Sequence, residues 1–413
     1  MIKQLRYIPT LLLSSVIACS NHHRSGIQSG IKEQTQLTQV KNPMRHHRVP
    51  DGVISVDIIN HNDRLHLLTG KHHQGNKTLW YQYSDDYGKN WSVATKVLNK
   101  NDLPAKIVRG NDARIAAQGN TIVVAWMKYD EDARFNAGPM QTARSIDGGQ
   151  TWKYAAIPPD WPTGPHGYID LAADENAMHA VWLDSRNGVS NVKAAQGLRY
   201  ARSIDGGLSW QANKTIDELT CSCCWNTLKT VADGHVVVLY RDKQPSDMRV
   251  AVIDQQQHWQ QLSNVGQFNW NFDGCPHIGG GLDSQQFAGH ERLHAVVGSG
   301  QQDHLGVYSL YSDDGGHSWS QHHRLGDESA LHADIAAHDN GRVVAVWDMM
   351  SENGLAVFVA ESADYGNTWS QFRQLSRSEM RATHPRIVKT GKGFLALWTE
   401  SDGQRQSLAM QRL

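Results

Sequence analysis

The chain has 413 residues, and its 40 basic and 41 acidic side chains give a formal net charge of −1 at pH 7. A surface that binds nucleic acid needs a basic excess, so this balance argues against nucleic acid as a partner. The chain is also longer than a typical small domain, which fits one folded body only if that body grows by repetition of a unit.

The N-terminus has the features of an export signal. Lys3 and Arg6 precede an apolar run at 11–17, which is too short to span a bilayer and is typical of a signal-peptide core. The run ends Val-Ile-Ala-Cys at Cys19, which resembles the lipobox of bacterial lipoproteins. The resemblance implies a signal peptide at 1–18, a lipid on Cys19 and anchoring in the cell envelope, in the outer membrane of a Gram-negative bacterium. An ordinary secretory signal is the alternative.

Two further regions follow the signal. Residues 19–50 comprise the lipidated cysteine and a polar stretch without periodicity, which predicts a tether. Residues 51–413 carry recurring apolar runs that often end in an aromatic residue, and we interpret each run as the second strand of a β-rich unit. The seven runs are 65–68, 121–126, 178–182, 235–240, 293–297, 342–347 and 394–398.

One short pattern, Ser-x-Asp-x-Gly-x-(Ser/Thr/Asn)-Trp, occurs five times in this body. Its Asp can accept hydrogen bonds from backbone N–H groups of a tight turn, its Gly supplies a positive φ, and its Trp supplies a large ring to bury. A pattern that recurs at such intervals indicates stacked supersecondary units. The copies begin at Ser84, Ser145, Ser203, Ser312 and Ser362.

The pattern resembles the Asp-box (bacterial neuraminidase) repeat of sialidase-like β-propellers, over most of the chain after about residue 50. The resemblance implies an all-β propeller of four-stranded antiparallel blades. The seven apolar runs favour seven blades, and the six blades of sialidases are the alternative. The fourth unit lacks a complete box, with Asp254 and Trp259 as its remnant. The last unit stops at Leu413 after a third strand, so 35–40 is expected to supply the missing outer strand.

The resemblance also sorts the loops onto two faces. The box turns join third and fourth strands on one face, here called the box face, where they fasten the fold. The loops before first strands and after second strands lie on the opposite face, here called the top face, where propellers bind ligands beside the channel. We predict the following top-face residues: Asp112, His166, Tyr168, Asp170, Asp184, Trp225, Trp270, Asp334 and Asp348.

The top-face residues have structural alternatives. Charged residues there can pair with one another and hold neighbouring blades together. Trp225 and Trp270, if exposed, offer the flat apolar surface on which sugars stack, but the same rings can instead cover the channel rim.

Four cysteines remain in the mature chain besides Cys19: Cys221, Cys223, Cys224 and Cys275. The first three begin the fourth unit and the last begins the fifth, so we expect them to be neighbours in space. In an oxidising compartment, a disulfide between the two groups is one interpretation. The alternative is a copper or zinc site of thiolates completed by His277, His332 or His384.

Three functions remain open. The first is a binding module for a glycan or protein ligand on the top face. The second is an exo-sialidase-type glycoside hydrolase, which needs an arginine triad for the substrate carboxylate, a Tyr nucleophile with a Glu, and an acid/base Asp. The third is a metal-handling or redox protein built on the cysteines. The sialidase candidates are Arg114, Arg186, Arg241, Arg386, Tyr240 and Glu400.

Overall fold

The computed structural model describes residues 51–133, 137–186, 195–232 and 234–413, and these residues form strands, turns and no helix. No helix in this part of the chain is long and apolar enough to cross a membrane. The strands are β1 (Asp51–His61), β2 (Arg64–His73), β3 (Asn76–Ser84), β4 (Thr95–Val97), β5 (Arg114–Gln118), β6 (Thr121–Tyr129), β7 (Ala137–Ser145), β8 (Lys153–Tyr154), β9 (Gly167–Ala173), β10 (Met178–Asp184), β11 (Ala195–Ser203), β12 (Lys214–Cys221), β13 (Thr227–Thr230), β14 (Val236–Arg241), β15 (Met248–Ile253), β16 (Trp259–Val265), β17 (Gly280–Phe287), β18 (His290–Gln301), β19 (His304–Ser312), β20 (His323–Leu325), β21 (Ala333–Ala337), β22 (Val343–Ser351), β23 (Gly354–Ser362), β24 (Arg373–Gln374), β25 (Arg381–Thr390), β26 (Gly393–Ser401) and β27 (Arg405–Arg412).

The strands form five four-stranded antiparallel sheets and one seven-stranded sheet, which confirms the predicted all-β fold of four-stranded antiparallel blades. The four-stranded sheets are β5–β8, β9–β12, β13–β16, β17–β20 and β21–β24. The seven-stranded sheet joins β25–β27 to β1–β4 through a short parallel pairing of Asp51 and Gly52 with Arg405 and Gln406.

The first strands β1, β5, β9, β13, β17, β21 and β25 contact one another in chain order, and β25 contacts β1. The blade count of seven stays a prediction, and the expected outer strand at 35–40 lies outside the described residues.

The second strands form the centre of the core. Trp126, Trp182 and Trp347 are fully buried, and β10 is buried at every position. A strand in the middle of a sheet that packs against neighbouring sheets on both faces has no solvent side, so its sequence is a continuous apolar run rather than an alternation. Each buried indole removes 150–250 Å² from water, about 4–6 kcal/mol of transfer free energy.

The box turns connect third and fourth strands, as predicted, and their chemistry fastens adjacent sheets. In the second box, the Ser145 hydroxyl donates to Asp147 Oδ1 (2.7 Å), the Gly149 N–H donates to Ser145 Oγ (2.9 Å), and the Thr151 N–H donates to Asp147 Oδ1 (2.9 Å). The Thr151 hydroxyl and N–H are the main donors that lower the pKa of Asp147 to about 2. A Cβ at Gly149 (φ +89°) would lie 2.1 Å from the ring of Tyr81 in the preceding sheet, so only glycine fits there.

The remnant of the fourth unit keeps part of this chemistry. Asp254 Oδ1 accepts a hydrogen bond from the His258 N–H at 2.7 Å, at the same four-residue spacing as in the complete boxes. Val252 replaces the box serine, and the Trp259 side chain is 40% exposed. The turn therefore survives without the half-buried ring that packs against a hydrophobic cluster in each complete box.

Candidate metal centre on the top face

Charged residues of neighbouring first strands form ion pairs with one another. Asp57 Oδ1 accepts hydrogen bonds from Arg114 Nη1 (3.1 Å) and Arg386 Nη2 (3.3 Å). Arg114 also lies 3.5 Å from Asp170, and Arg386 lies 3.4 Å from Asp334. The sequence placed four of these residues at the top face as a ligand or catalytic site, and the structure shows them bound to one another.

Each carboxylate of these ion pairs also accepts a hydrogen bond from a backbone N–H of the first strand of the next sheet. The donors are Ile115 N–H to Asp57 (2.9 Å), Leu228 N–H to Asp170 (2.8 Å) and Ile387 N–H to Asp334 (3.0 Å). Burial raises the pKa of Asp170 and of Asp334. Asp112 also links two sheets, because it accepts hydrogen bonds from the Val56 N–H (2.8 Å) and from Arg109 (2.6 Å). These ion pairs and hydrogen bonds therefore join neighbouring sheets.

The remaining sialidase candidates are also engaged by neighbouring residues. Arg186 pairs with Asp184 at 2.7 Å and with Asp160. Tyr240 donates to Asp217 (2.9 Å) from β14, and Glu400 in β26 accepts from Arg377 (2.5 Å).

Arg241 is buried and donates to three backbone carbonyls, those of Ile278 (2.9 Å), Ser246 (2.5 Å) and Gly298 (2.8 Å). The described residues thus offer no arginine triad free to hold a substrate carboxylate.

Several other top-face candidates are structural. His166 is fully buried, its Nδ1 accepts the Met140 N–H at 2.9 Å, and burial lowers its pKa to about 4. Asp184 is fully buried between Arg186 and Arg199. Trp225 and Trp270 are each 7% exposed, so neither offers a sugar an open ring face. Binding of a glycan or protein ligand stays a prediction, without these rings as stacking surfaces.

The cysteines come together at one place on the top face. Cys221 ends β12, and its Sγ lies 3.6 Å from Cys223 Sγ and 3.3 Å from Cys224 Sγ. These three sulfurs are buried and form one group of mutually close ligand atoms. Cys275 is exposed, and its Sγ lies 3.8 Å from Ser222 Oγ in the same turn. All four are free cysteines in this structure, and we refer to them as the cysteine cluster.

Neighbouring groups favour a thiolate in the cluster. Hydrogen bonds from the Cys223 and Cys224 thiols hold the pKa of Cys221 well below its usual range. The buried guanidinium of Arg241 acts in the same direction. Burial raises the pKa of Cys224, whereas a hydrogen bond with Cys223 lowers the pKa of Cys275 to about 7. Cys221 and Cys275 are therefore the sulfurs that ionise most readily, and the Cys223 and Cys224 thiols donate to Cys221.

Tyr168 packs directly on the cysteine cluster. Its φ is +52°, a left-handed conformation that costs free energy in a non-glycine residue and needs surrounding contacts to hold it. Those contacts are the Tyr168 N–H donating to Asn111 (3.0 Å) and the Asn226 side chain donating to the Tyr168 carbonyl (2.9 Å). Tyr168, at the start of β9, is thus a top-face candidate that packs against the cysteine cluster.

Two of the proposed additional histidine ligands form a separate cluster. His332 Nδ1 lies 2.7 Å from Asp348 Oδ2, which also accepts the His384 N–H at 2.8 Å. The rings of His332 and His384 stack with centroids 3.7 Å apart. Burial opposes the charge on Asp348, but His332 and the surrounding donors outweigh it and hold the pKa of Asp348 well below its usual range. We call these three residues the His–Asp cluster. The described structure groups His332 and His384 with Asp348, separately from the group of Cys221, Cys223 and Cys224. His277 is exposed.

Trp225 lies beside both clusters. It follows Cys224 directly in the chain, and its ring centroid lies 5.5 Å from that of His332 and 6.1 Å from that of His384. A Cβ at Gly279 would fall 2.2 Å from the indole, so the backbone closes tightly over this ring. The indole therefore packs against both histidines from the chain position directly after the cysteines.

Comparisons with known proteins bear on the fold. The family model described as "BNR/Asp-box repeat" matches residues 82–93, which contain the first box. A polysaccharide lyase described as a PL25 ulvan lyase is similar in structure, with a TM-score of 0.57 and 11% identity over 88% of this chain and 94% of that one. No curated protein sequence matches. The chain folds as a sialidase-like β-propeller.

Two further solved structures resemble this propeller at lower scores. A Hadza microbial sialidase has a TM-score of 0.46 and 13% identity over 82% of this chain and 74% of that one. The β-propeller domain of the trilobed protease from Pyrococcus furiosus has a TM-score of 0.49 and 9% identity over 88% and 96%. At these identities the likeness concerns the fold alone.

The metal-ligand candidates lie where a strand ends or where its register breaks. Cys221 ends an outer strand, whereas His384 lies at a register break in β25, between Thr383 and Arg386. Such bulges redirect side chains and often occur next to functional sites. Sequence reasoning missed Asp57 and Arg109 because a single Asp inside an apolar strand and an Arg in an irregular loop carry no local pattern.

Proposed function

We propose that this sialidase-like β-propeller binds one thiophilic d¹⁰ cation, Cu(I) or Zn²⁺, through the cysteine cluster on its top face. The observation that carries the proposal is the spacing of the sulfurs. Cys221 Sγ lies 3.6 and 3.3 Å from its two neighbours. Tetrahedral thiolates around zinc at about 2.3 Å are ~3.8 Å apart, whereas a disulfide needs about 2.05 Å.

The donor set supports the same class of cation. Thiolates select Cu(I) and zinc over hard cations, which prefer oxygen. Three buried sulfurs suit three-coordinate Cu(I), and Cys275 beside the same turn is the fourth ligand that tetrahedral zinc needs. The buried charge of Arg241 and the apolar ring of Tyr168 favour a thiolate and exclude water around it.

A metal titration tests the proposal. We expect the reduced chain, purified with a tag that lacks histidine, to bind one equivalent of Cu(I) or Zn²⁺ through sulfur under anaerobic conditions. Cys221→Ser removes the central sulfur, so the affinity for either cation should fall by at least about 100-fold. Cys275→Ser should weaken Zn²⁺ far more than Cu(I). His317→Ala, at an exposed histidine in a box turn, is the control and should leave both affinities within about threefold.

Two results would overturn the proposal. One is a Cys221→Ser variant that binds metal as the unaltered chain does. The other is a thiol count on the chain purified without reductant that shows a disulfide within the cluster. Circular dichroism of each variant separates loss of a ligand from loss of the fold.

We also propose that the propeller is tethered to the cell envelope by a lipid on Cys19, as the sequence indicates; this residue lies outside the described part of the chain. Cys19→Ala should abolish incorporation of a palmitate analogue and release the protein from the membrane fraction. Retention of both the label and the membrane location in that variant would contradict the anchor.

A further inference from the structure

We propose that His332, Asp348 and His384 form a second metal site, which takes a divalent cation of the zinc class and keeps one coordination position open. The proposal goes beyond the thiolate site, because it concerns a different donor set and a cation of different preference. The ligand atoms of the three residues lie within 4.8 Å of one another, which brings two imidazoles and one carboxylate within reach of one ion.

The donor set matches zinc-class sites. Two histidines with one carboxylate are the ligands of several zinc enzymes, and such three-ligand sites leave the fourth position to water. His332 Nδ1 and Asp348 Oδ2 are already side by side at 2.7 Å. For a tetrahedral ion at about 2.05 Å, ligand atoms are ~3.3 Å apart, so these two atoms must separate by about 0.6 Å to admit a cation. The His384 ring, which stacks on His332 with centroids 3.7 Å apart, must also turn so that its ring plane contains the ion.

The backbone presents these ligands under constraint. His384 has φ +52° and precedes Pro385, and a residue before proline already has restricted φ and ψ. Its N–H donates to Asp348 Oδ2 (2.8 Å), and its carbonyl accepts from Arg109. The strained conformation is thus held from both ends of the residue, as expected where the position of a side chain has a function.

A second ring of contacts orients the ligand atoms. The Thr383 hydroxyl donates to Asp348 Oδ2 (2.5 Å) and lies 2.9 Å from His384 Nδ1. The His332 N–H donates to Asp348 Oδ1 (3.1 Å), so both carboxylate oxygens are fixed. Outer hydrogen bonds of this kind hold metal ligands in place and raise affinity 10–100-fold.

A small cavity lies next to the site. It has a volume of about 20 Å³ and is lined by His332, His384, Trp225, Asp112 and Arg109, among others. That volume admits about one water molecule and no organic ligand. A cation held by the three residues therefore has room for one exchangeable water, which is the arrangement of catalytic rather than structural zinc sites.

A Co²⁺ titration of the full chain distinguishes the two sites in one experiment. Cobalt bound by thiolates shows intense sulfur charge transfer in the near ultraviolet, whereas cobalt bound by imidazole and carboxylate shows only weak visible bands. We expect two equivalents, one of each kind, in the presence of a moderate chelator that keeps exposed histidines unloaded. Azide should change the visible bands of the second equivalent, because it replaces the open-position water.

Variants assign each signal. His384→Ala and His332→Ala should remove the equivalent without sulfur charge transfer and leave the thiolate signal, and Cys221→Ser should do the opposite. His317→Ala, at an exposed histidine in a box turn, is the control and should change neither. The second site is refuted if the unaltered chain binds no equivalent free of sulfur charge transfer, a result that needs no variant to fold. It is also refuted if His384→Ala keeps that equivalent.

Discussion

Replacement of Asp57 by Asn tests whether the ion pairs between neighbouring first strands hold the propeller together. Asp57 is 2% exposed and is contacted by two guanidinium groups and one backbone N–H. The amide has the same size but no charge, and its NH₂ group must face either the guanidinium groups or the Ile115 N–H. Breaking a buried ion pair by removing one partner costs about 3–5 kcal/mol, because the other charge stays buried.

The control is Asp85→Asn, which removes the same chemistry at the surface. Asp85 pairs with Arg64 through two short hydrogen bonds of 2.6 and 2.9 Å, but its side chain is 55% exposed. Solvent screens that pair, so its loss should cost about 0–1 kcal/mol. Urea unfolding followed by tryptophan fluorescence measures both. Equal losses, or a loss below about 1 kcal/mol for Asp57→Asn, would show that burial does not determine the strength of these pairs.

Two further predictions concern the box turns and acid. Gly149→Ala should destabilise the chain by about 2 kcal/mol or more beyond Gly148→Ala. Both glycines have positive φ, but only a Cβ at 149 would meet a ring, that of Tyr81. Equal melting temperatures for the two variants would contradict this. Burial lowers the pKa of His66, His166 and His294 from 6.5 to about 4. Between pH 6.5 and 4 the unfolded chain therefore binds more protons than the folded chain. The stability present above pH 6.5 should then decline as the pH falls towards 4. Calorimetry across this range measures the slope, and a melting temperature that stays constant from pH 6.5 to 4.5 would refute the assignment.

The sequence predicted those features whose chemistry is local. A box turn closes its hydrogen bonds within about four residues, as between Asp147 and Thr151, so the pattern is complete in one short segment. The proximity of the cysteine groups followed from aligning units of similar length, because consecutive first strands are neighbours in a propeller.

The partners of individual charges could not be predicted in the same way. Asp57 binds Arg114 across 57 residues and Arg386 across 329, and no local pattern encodes such a pairing. His332 and His384 were predicted as neighbours of the cysteines, whereas their contacts with Asp348 depend on the path of the backbone at the bulge in β25. For Trp225 and Trp270 the sequence left open whether the rings are exposed or cover the rim. Both are buried, because Gly279 and Gly300 allow the backbone to approach these rings closely.

X-ray absorption spectroscopy of the chain loaded with one equivalent of Cu(I), and separately of Zn²⁺, tests the thiolate site most directly. The proposed cluster predicts a first shell of sulfur alone at about 2.3 Å, with three sulfurs around Cu(I) and four around Zn²⁺. A first shell of nitrogen and oxygen at about 2.0 Å would contradict it, since the ion would then occupy histidine and carboxylate ligands rather than the cysteines.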